Sequence, residues 1–205
     1  LTSATLKTVE GSWLLRARPV VWRSLAQFLS DADALCAGGS YPSLRARIQW
    51  SGDGLPIHGV IGAFDWWTDD EHALINAING DAGRLETIDL YDHLSLKPTA
   101  RWKKYCPALE FFLPMSCVET VLTTVQEQII AAGLTGYCPD GSAIKLLRCA
   151  SRLPMAPYPP GDRCVMVALR PEVPFEMVDP CLAALRAISQ VISDAGGTFY
   201  LISIP

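Results

Sequence analysis

Residues 106–114, CPALEFFLP, are apolar and of strand length, yet they carry one carboxylate, Glu110, between Leu109 and Phe111. A charged group taken out of water is costly unless a partner accompanies it. The segment therefore reads as a strand that borders a substrate cavity as well as a core, with Glu110 facing the cavity.

Working outward, Ser116–Ala132 places Val118, Val121, Leu122, Val125, Ile129 and Ile130 on one helical face, with Ser116 and Glu119 spaced as a capping box and Gly133 as the stop. Residues 143–150 and 163–170 read as strands joined by the Pro-rich loop PMAPYPPGD, residues 154–162. Pro180–Ala195 reads as a helix ended by Gly196-Gly197, and Thr198–Ile204 as a last strand.

Toward the N-terminus, residues 11–22 are extended around Pro19, which no helix interior tolerates. Leu25, Phe28, Leu29, Ala32 and Leu35 then fall at helical spacing up to Gly38-Gly39. Strands follow at Leu44–Trp50 and Ile57–Trp67, the second ending in the aromatic cluster Phe64, Trp66 and Trp67. Asp69-Asp70-Glu71 opens a short helix with Leu74, Ile75 and Ile78 as its stripe. Arg84–Leu90 is a further strand, and Asp92–Thr99 a loop or short helix. Paired strands separated by single helices predict an α+β domain: an antiparallel sheet of about six to eight strands, helices mainly on one face, with a recurring β-α-β unit as in ferredoxin-like repeats.

Composition limits the function classes. The 205 residues are 50% hydrophobic and 19% charged, which suits a compact domain with a sizeable core. A net charge of −4 gives no footprint for nucleic acid. No apolar run approaches the ~18–20 residues of a membrane span. The seven cysteines are widely spaced without a C-x-x-C, which predicts free thiols in a reducing, cytoplasmic setting rather than a disulfide framework or zinc site. His58, His72 and His93 lack the spacing of a helical metal pair, so no metal is expected. G-x-G-x-x-G, G-x-x-x-x-G-K and G-x-S-x-G are all absent, which removes the usual phosphate loops and the hydrolase elbow. Arg148 is the other charge on an apolar strand, and pairing of Glu110 with Arg148 across the sheet is expected if their strands are neighbours.

Taken in order, several segments resemble the substrate-binding (cap) domain of vanillyl-alcohol-oxidase-type FAD-linked oxidoreductases. SWLLRARPVVWRSLAQFL, residues 12–29, looks like the passage where those chains leave the FAD-binding domain through a Thr-Arg-Ala-Arg strand. WKKYCPALEFFLP, residues 102–114, is similar to the cytokinin dehydrogenase run His-Pro-Trp-Leu-Asn-Leu-Phe-Val-Pro. Pro107, Leu109, Phe111 and Pro114 match it, whereas Cys106 stands for the His, Ala108 for the Trp and Glu110 for the Asn. Residues 142–172 resemble the family's two-strand unit around a Pro-rich loop, and LRAISQVISDAGGTFYLIS, residues 185–203, its last helix and strand.

The resemblance implies that residues 1–22 are a linker or strand from the FAD-binding half and 23–205 the cap domain. The cap would cover the flavin and hold substrate through Ala108, Glu110, Phe112 and Arg148. Ala108 in place of a Trp would widen the pocket, and Glu110 would orient a polar or amine-bearing substrate. FAD would be held by an FAD-binding domain or subunit, because the pyrophosphate cradle lies outside the matched residues. The chain, which opens at Leu1 without an initiator Met, thus reads as an excerpt, a split subunit or a free-standing ligand-binding descendant. The apolar surface left for the flavin domain predicts self-association, a homodimer, when the chain is alone.

Overall fold

A computed structural model of the chain describes residues 14–37, 43–50, 55–63, 78–83, 86–89, 105–138, 142–149 and 157–200. They form strands β1 (Leu14–Trp22), β2 (Ser43–Ile48), β3 (Ile57–Ala63), β4 (Asp81–Ala82), β5 (Glu86–Asp89), β6 (Leu109–Pro114), β7 (Ala143–Arg148), β8 (Arg163–Leu169) and β9 (Thr198–Phe199). The helices are α1 (Leu25–Ala37), α2 (Val118–Ala131) and α3 (Val178–Asp194). The fold class is α+β. β5 falls within the strand expected at 84–90, and the two-residue β4 just before it is an additional short strand; both pair with β1.

The sheet order is β4-β1-β3-β2-β7-β8-β6-β9, with β5 also on β1. The first half follows the split βαβ order, in which the hairpin strand β3 lies between β1 and β2. The second half repeats that order in reverse as β7-β8-β6-β9. The two units meet edge to edge where β2 pairs antiparallel with β7, Ala46 opposite Ile144 and Arg47 opposite Ala143. An approximate two-fold axis normal to the sheet thus relates them. β1, expected as a connection from a preceding domain, is an interior strand whose Val20 and Trp22 are core residues.

Strand alternation assigns the faces. Trp22, Ala46, Ile57, Ile61, Leu109, Phe111, Leu113, Ile144, Leu146, Val165, Val167 and Leu169 are buried with the helices in one cluster. α1 contributes Leu25, Phe28, Ala32 and Leu35, and the Trp22 and Phe28 rings meet edge to face at 5.2 Å. α3 contributes Cys181, Ala184, Leu185, Ile188 and Ile192, an i, i+3, i+4, i+7, i+11 series. All three described helices lie on this face.

Two helix details differ from expectation. Ser116 does not cap α2: Met115–Cys117 form a 3-10 turn, and the helix starts at Val118 with no side-chain cap. Ile130 is 51% exposed, and Gln126 is buried beside the stripe instead. α3 begins two residues before Pro180, whose missing N–H is harmless in a first turn. Gly133, at φ +66°, and Gly196, at φ +75°, adopt the left-handed conformation that ends α2 and α3. The expected helix from Asp69, the cluster Phe64, Trp66 and Trp67, the Gly38-Gly39 stop, His72 and His93 lie outside the described residues.

Candidate functional site

β6 is buried on both sides, which answers the question its sequence raises. Leu109, Phe111 and Leu113 enter the helix layer, and the pleat turns Glu110 and Phe112 to the helix-free face. There Phe112 packs with Cys149 and Cys164, against Leu147, Tyr158 and Met166, in a second and smaller cluster. Its ring meets Tyr158 at 5.2 Å and Tyr200 at 6.3 Å, both edge-on. Thr198 donates its hydroxyl to the Pro157 carbonyl, tying β9 to the end of the Pro-rich loop.

Glu110 is 2% exposed, and its carboxylate accepts a bond from the Arg170 guanidinium. Arg170 directly follows β8, the strand paired with β6, and its side chain remains 43% exposed. The pair is thus a half-exposed cation capping a buried acid. Ala108, half-buried, immediately precedes β6.

Arg148 is not part of this group. The alternation that buries Ile144 and Leu146 carries Arg148 to the helix side, where it lies 3.7 Å from Asp33 of α1. Arg163, its register partner, bonds the same carboxylate at 2.6 Å. The expected Glu110–Arg148 pair is therefore replaced by two separate ion pairs on opposite faces.

Several polar sites escaped the sequence. Asp31 is 2% exposed, on the buried face of α1, three residues after Phe28. It accepts bonds from the Trp22 indole at 2.8 Å, the Asn79 side-chain amide at 2.6 Å, and the Asn79 and Gly80 backbone N–H groups. An acid inside an apolar helical stripe was the available signal. Among the thiols, burial pushes Cys138 and Cys164 up to about 12 and Cys181 up to about 11. Cys149 and Cys164 stand with their sulfurs 3.5 Å apart. Among the described residues, no group of three His, Cys, Asp or Glu side chains is arranged to hold a metal.

A cavity of about 380 Å³ opens near the end of β2, lined by Arg47, Ile48, Gln49, Trp50, His58, Thr135 and Cys138. His58, the remaining described histidine, is exposed and shares a hydrogen bond of 2.9 Å with the Gln49 side-chain oxygen.

No protein-family model matches the chain, and no curated protein sequence matches it. Solved structures do. The fold is shared with alkyldihydroxyacetonephosphate synthase. In one crystal form of that enzyme the TM-score is 0.57 at 10% identity, covering 90% of this chain and 39% of that one. In a second form it is 0.55 at 8% identity, covering 92% and 40%. The chain thus spans about two fifths of the synthase, and the likeness is one of fold. No helix among the described residues is long and apolar enough to cross a membrane.

Proposed function

We propose that this chain is the substrate-binding domain of an FAD-linked oxidoreductase of the vanillyl-alcohol-oxidase type, covering the flavin and orienting substrate for hydride transfer. The synthase whose fold it shares is an FAD-linked member of that family. The observation that carries the reading is the one-sided sheet: the described helices pad one face, while the other holds Glu110 beneath Arg170 and Phe112 within its small cluster.

Among the described residues, none is arranged as a site for FAD itself. The described positive-φ glycines are Gly133, Gly161 and Gly196, of which two end helices and one lies in the β7–β8 connection. Neither they nor any Gly-rich motif in the sequence supplies converging backbone N–H donors for a pyrophosphate. The dinucleotide belongs to a partner domain or subunit, which supplies the hydride acceptor. This chain's part is positioning and exclusion of water. Ala108, Glu110 and Phe112 are the residues we assign to substrate contact. Arg148 leaves the set because it faces the helix layer.

The Glu110–Arg170 pair also modifies the expected substrate. A carboxylate already neutralised by a guanidinium is a poor receptor for an amine cation, so a hydroxyl-bearing substrate fits better than an amine. The cytokinin-dehydrogenase branch remains an assignment from the residue pattern alone, as do the cytoplasmic setting and the homodimer.

Co-expression with an FAD-binding domain encoded beside the chain tests the reading. A yellow complex that co-purifies and is bleached by an alcohol substrate is expected. A colourless chain that purifies apart from its flavoprotein neighbour would support the second reading, a free-standing ligand-binding module on the same fold.

A further inference from the structure

Two buried thiols stand where a covalent bond would join neighbouring strands. Cys164 lies on β8, and Cys149 directly follows β7. The register pairs Leu147 with Cys164, and the Cys149 N–H donates to the Asp162 carbonyl at 2.6 Å. Cys149 and Cys164 are therefore diagonal neighbours on the helix-free face, a relation that brings side chains within reach. Their sulfurs lie 3.5 Å apart. A disulfide needs ~2.05 Å, so an approach of about 1.5 Å makes the bond. Both sulfurs belong to the small cluster in which Phe112 packs against Leu147, Tyr158 and Met166. Burial holds the Cys164 proton to about 12 and so disfavours the thiolate, whereas a disulfide places no charge in the cluster.

We propose that Cys149 and Cys164 are a reversible dithiol–disulfide site, oxidised by a small-molecule disulfide, that staples the ends of β7 and β8 beneath Phe112. Cys149, 6% exposed against 0% for Cys164, is the sulfur that reacts first. Its thiolate attacks one sulfur of the small disulfide, forming a mixed disulfide and releasing one small thiolate. The Cys164 thiolate then attacks the Cys149 sulfur, forming the bond and releasing the second small thiolate. The two cysteine protons end on the released thiols, and two electrons pass from the cysteines to the small disulfide. The bond closes the β7–β8 connection at its base, while Thr198 already ties that connection to β9 through the Pro157 carbonyl. A cross-link of this kind restricts the unfolded chain and so favours the folded one. The site does not rest on the flavin-linked reading and stands or falls separately from it.

The test equilibrates the folded 205-residue chain with glutathione disulfide at about pH 8.5, where thiolates become available. The remaining thiols are then blocked with N-ethylmaleimide and the tryptic peptides mapped by mass spectrometry. Trypsin cuts after Arg148, Arg152 and Arg163, which puts the two cysteines on separate peptides. The expected product is residues 149–152 linked to residues 164–170, reversed by excess glutathione. The oxidised chain should unfold at higher urea and show a shifted Phe112 amide resonance. In Cys149→Ser the linked peptide should vanish, and oxidation should no longer move the urea midpoint. Glutathione on either cysteine without a cross-link would overturn the proposal, as would the absence of any reaction at both. A linked peptide that forms only in urea, or a midpoint lowered by oxidation, would show that the folded strands do not accommodate the bond and would overturn it equally. Should Cys149→Ser fail to fold, peptide maps of the unaltered chain oxidised with and without urea decide the matter.

Discussion

Arg170 covers the buried carboxylate of Glu110 on the face of the sheet that carries no helix. The acid is 3% exposed at its side chain and the cation 43%, so most of the desolvation falls on Glu110. Removing only the cation leaves a buried charge without its strongest partner. A fully buried pair broken this way costs roughly 3–5 kcal/mol. Because solvent can partly replace the half-exposed Arg170, Arg170→Met should cost less, on the order of 2 kcal/mol. The double variant Glu110→Gln with Arg170→Met should recover part of the loss. Urea unfolding of the two variants measures this, and additive losses would mean that the residues are uncoupled.

Asp31 ties α1 to the strand end around Asn79 and Gly80 and fixes the Trp22 ring. Asp31→Ala strands the buried Trp22 indole N–H together with the partly buried donors of Asn79 and Gly80. A loss of about 2–4 kcal/mol is expected. Asp31→Asn keeps an acceptor oxygen but brings an amide group facing donors, so an intermediate loss is expected. Equilibrium unfolding of both variants checks the order.

Gly197 follows α3 and passes close to β6. A Cβ there would stand 2.6 Å from the Ile192 side chain and 3.0 Å from the Phe112 carbonyl oxygen. Gly197→Ala must push one of these away, which costs about 1–3 kcal/mol. The displaced strand is the one that carries Glu110, so the variant should also shift the amide resonances of residues 110–112. Unchanged spectra would show that the loop yields instead.

The order of elements was legible because their periods are clean. α3 has an unbroken helical stripe, α1 one interrupted by Asp31, and β6 is bounded by Pro107 and Pro114. The ferredoxin-like repetition followed from paired strands separated by single helices. The faces were harder. In β7 Leu146 and Leu147 are adjacent, so composition alone does not say which side is the core, and Arg148 was given to the wrong one. Its true partner, Asp33, is contributed by another element and is invisible to strand pairing. Arg170 escaped for the opposite reason: it sits at a strand end, where a cation looks solvated, yet the register of β8 against β6 brings it to Glu110. The capping-box spacing of Ser116 and Glu119 was overridden by the 3-10 turn after Pro114.

The buried thiols give the chain an alkaline limit. Cys138 and Cys164 hold their protons to about 12 and Cys181 to about 11, mainly because burial disfavours the thiolate. In the unfolded chain the same thiols ionise near the ordinary value of ~8.5. Above that pH the unfolded state has lost protons that the folded state keeps, so unfolding becomes easier as pH rises. Stability should therefore be flat with respect to these groups below about pH 8 and fall progressively from about pH 8.5 up to about 12. Cys138→Ala and Cys164→Ala should each make the fall shallower, whatever they cost at neutral pH. At neutral pH an alkylating reagent should modify exposed Cys106 well before Cys138, Cys164 or Cys181. Urea midpoints across the pH series, with mass-spectrometric mapping of alkylated sites, check both expectations; rapid modification of Cys164 at pH 7 would show that the small cluster under Phe112 opens readily.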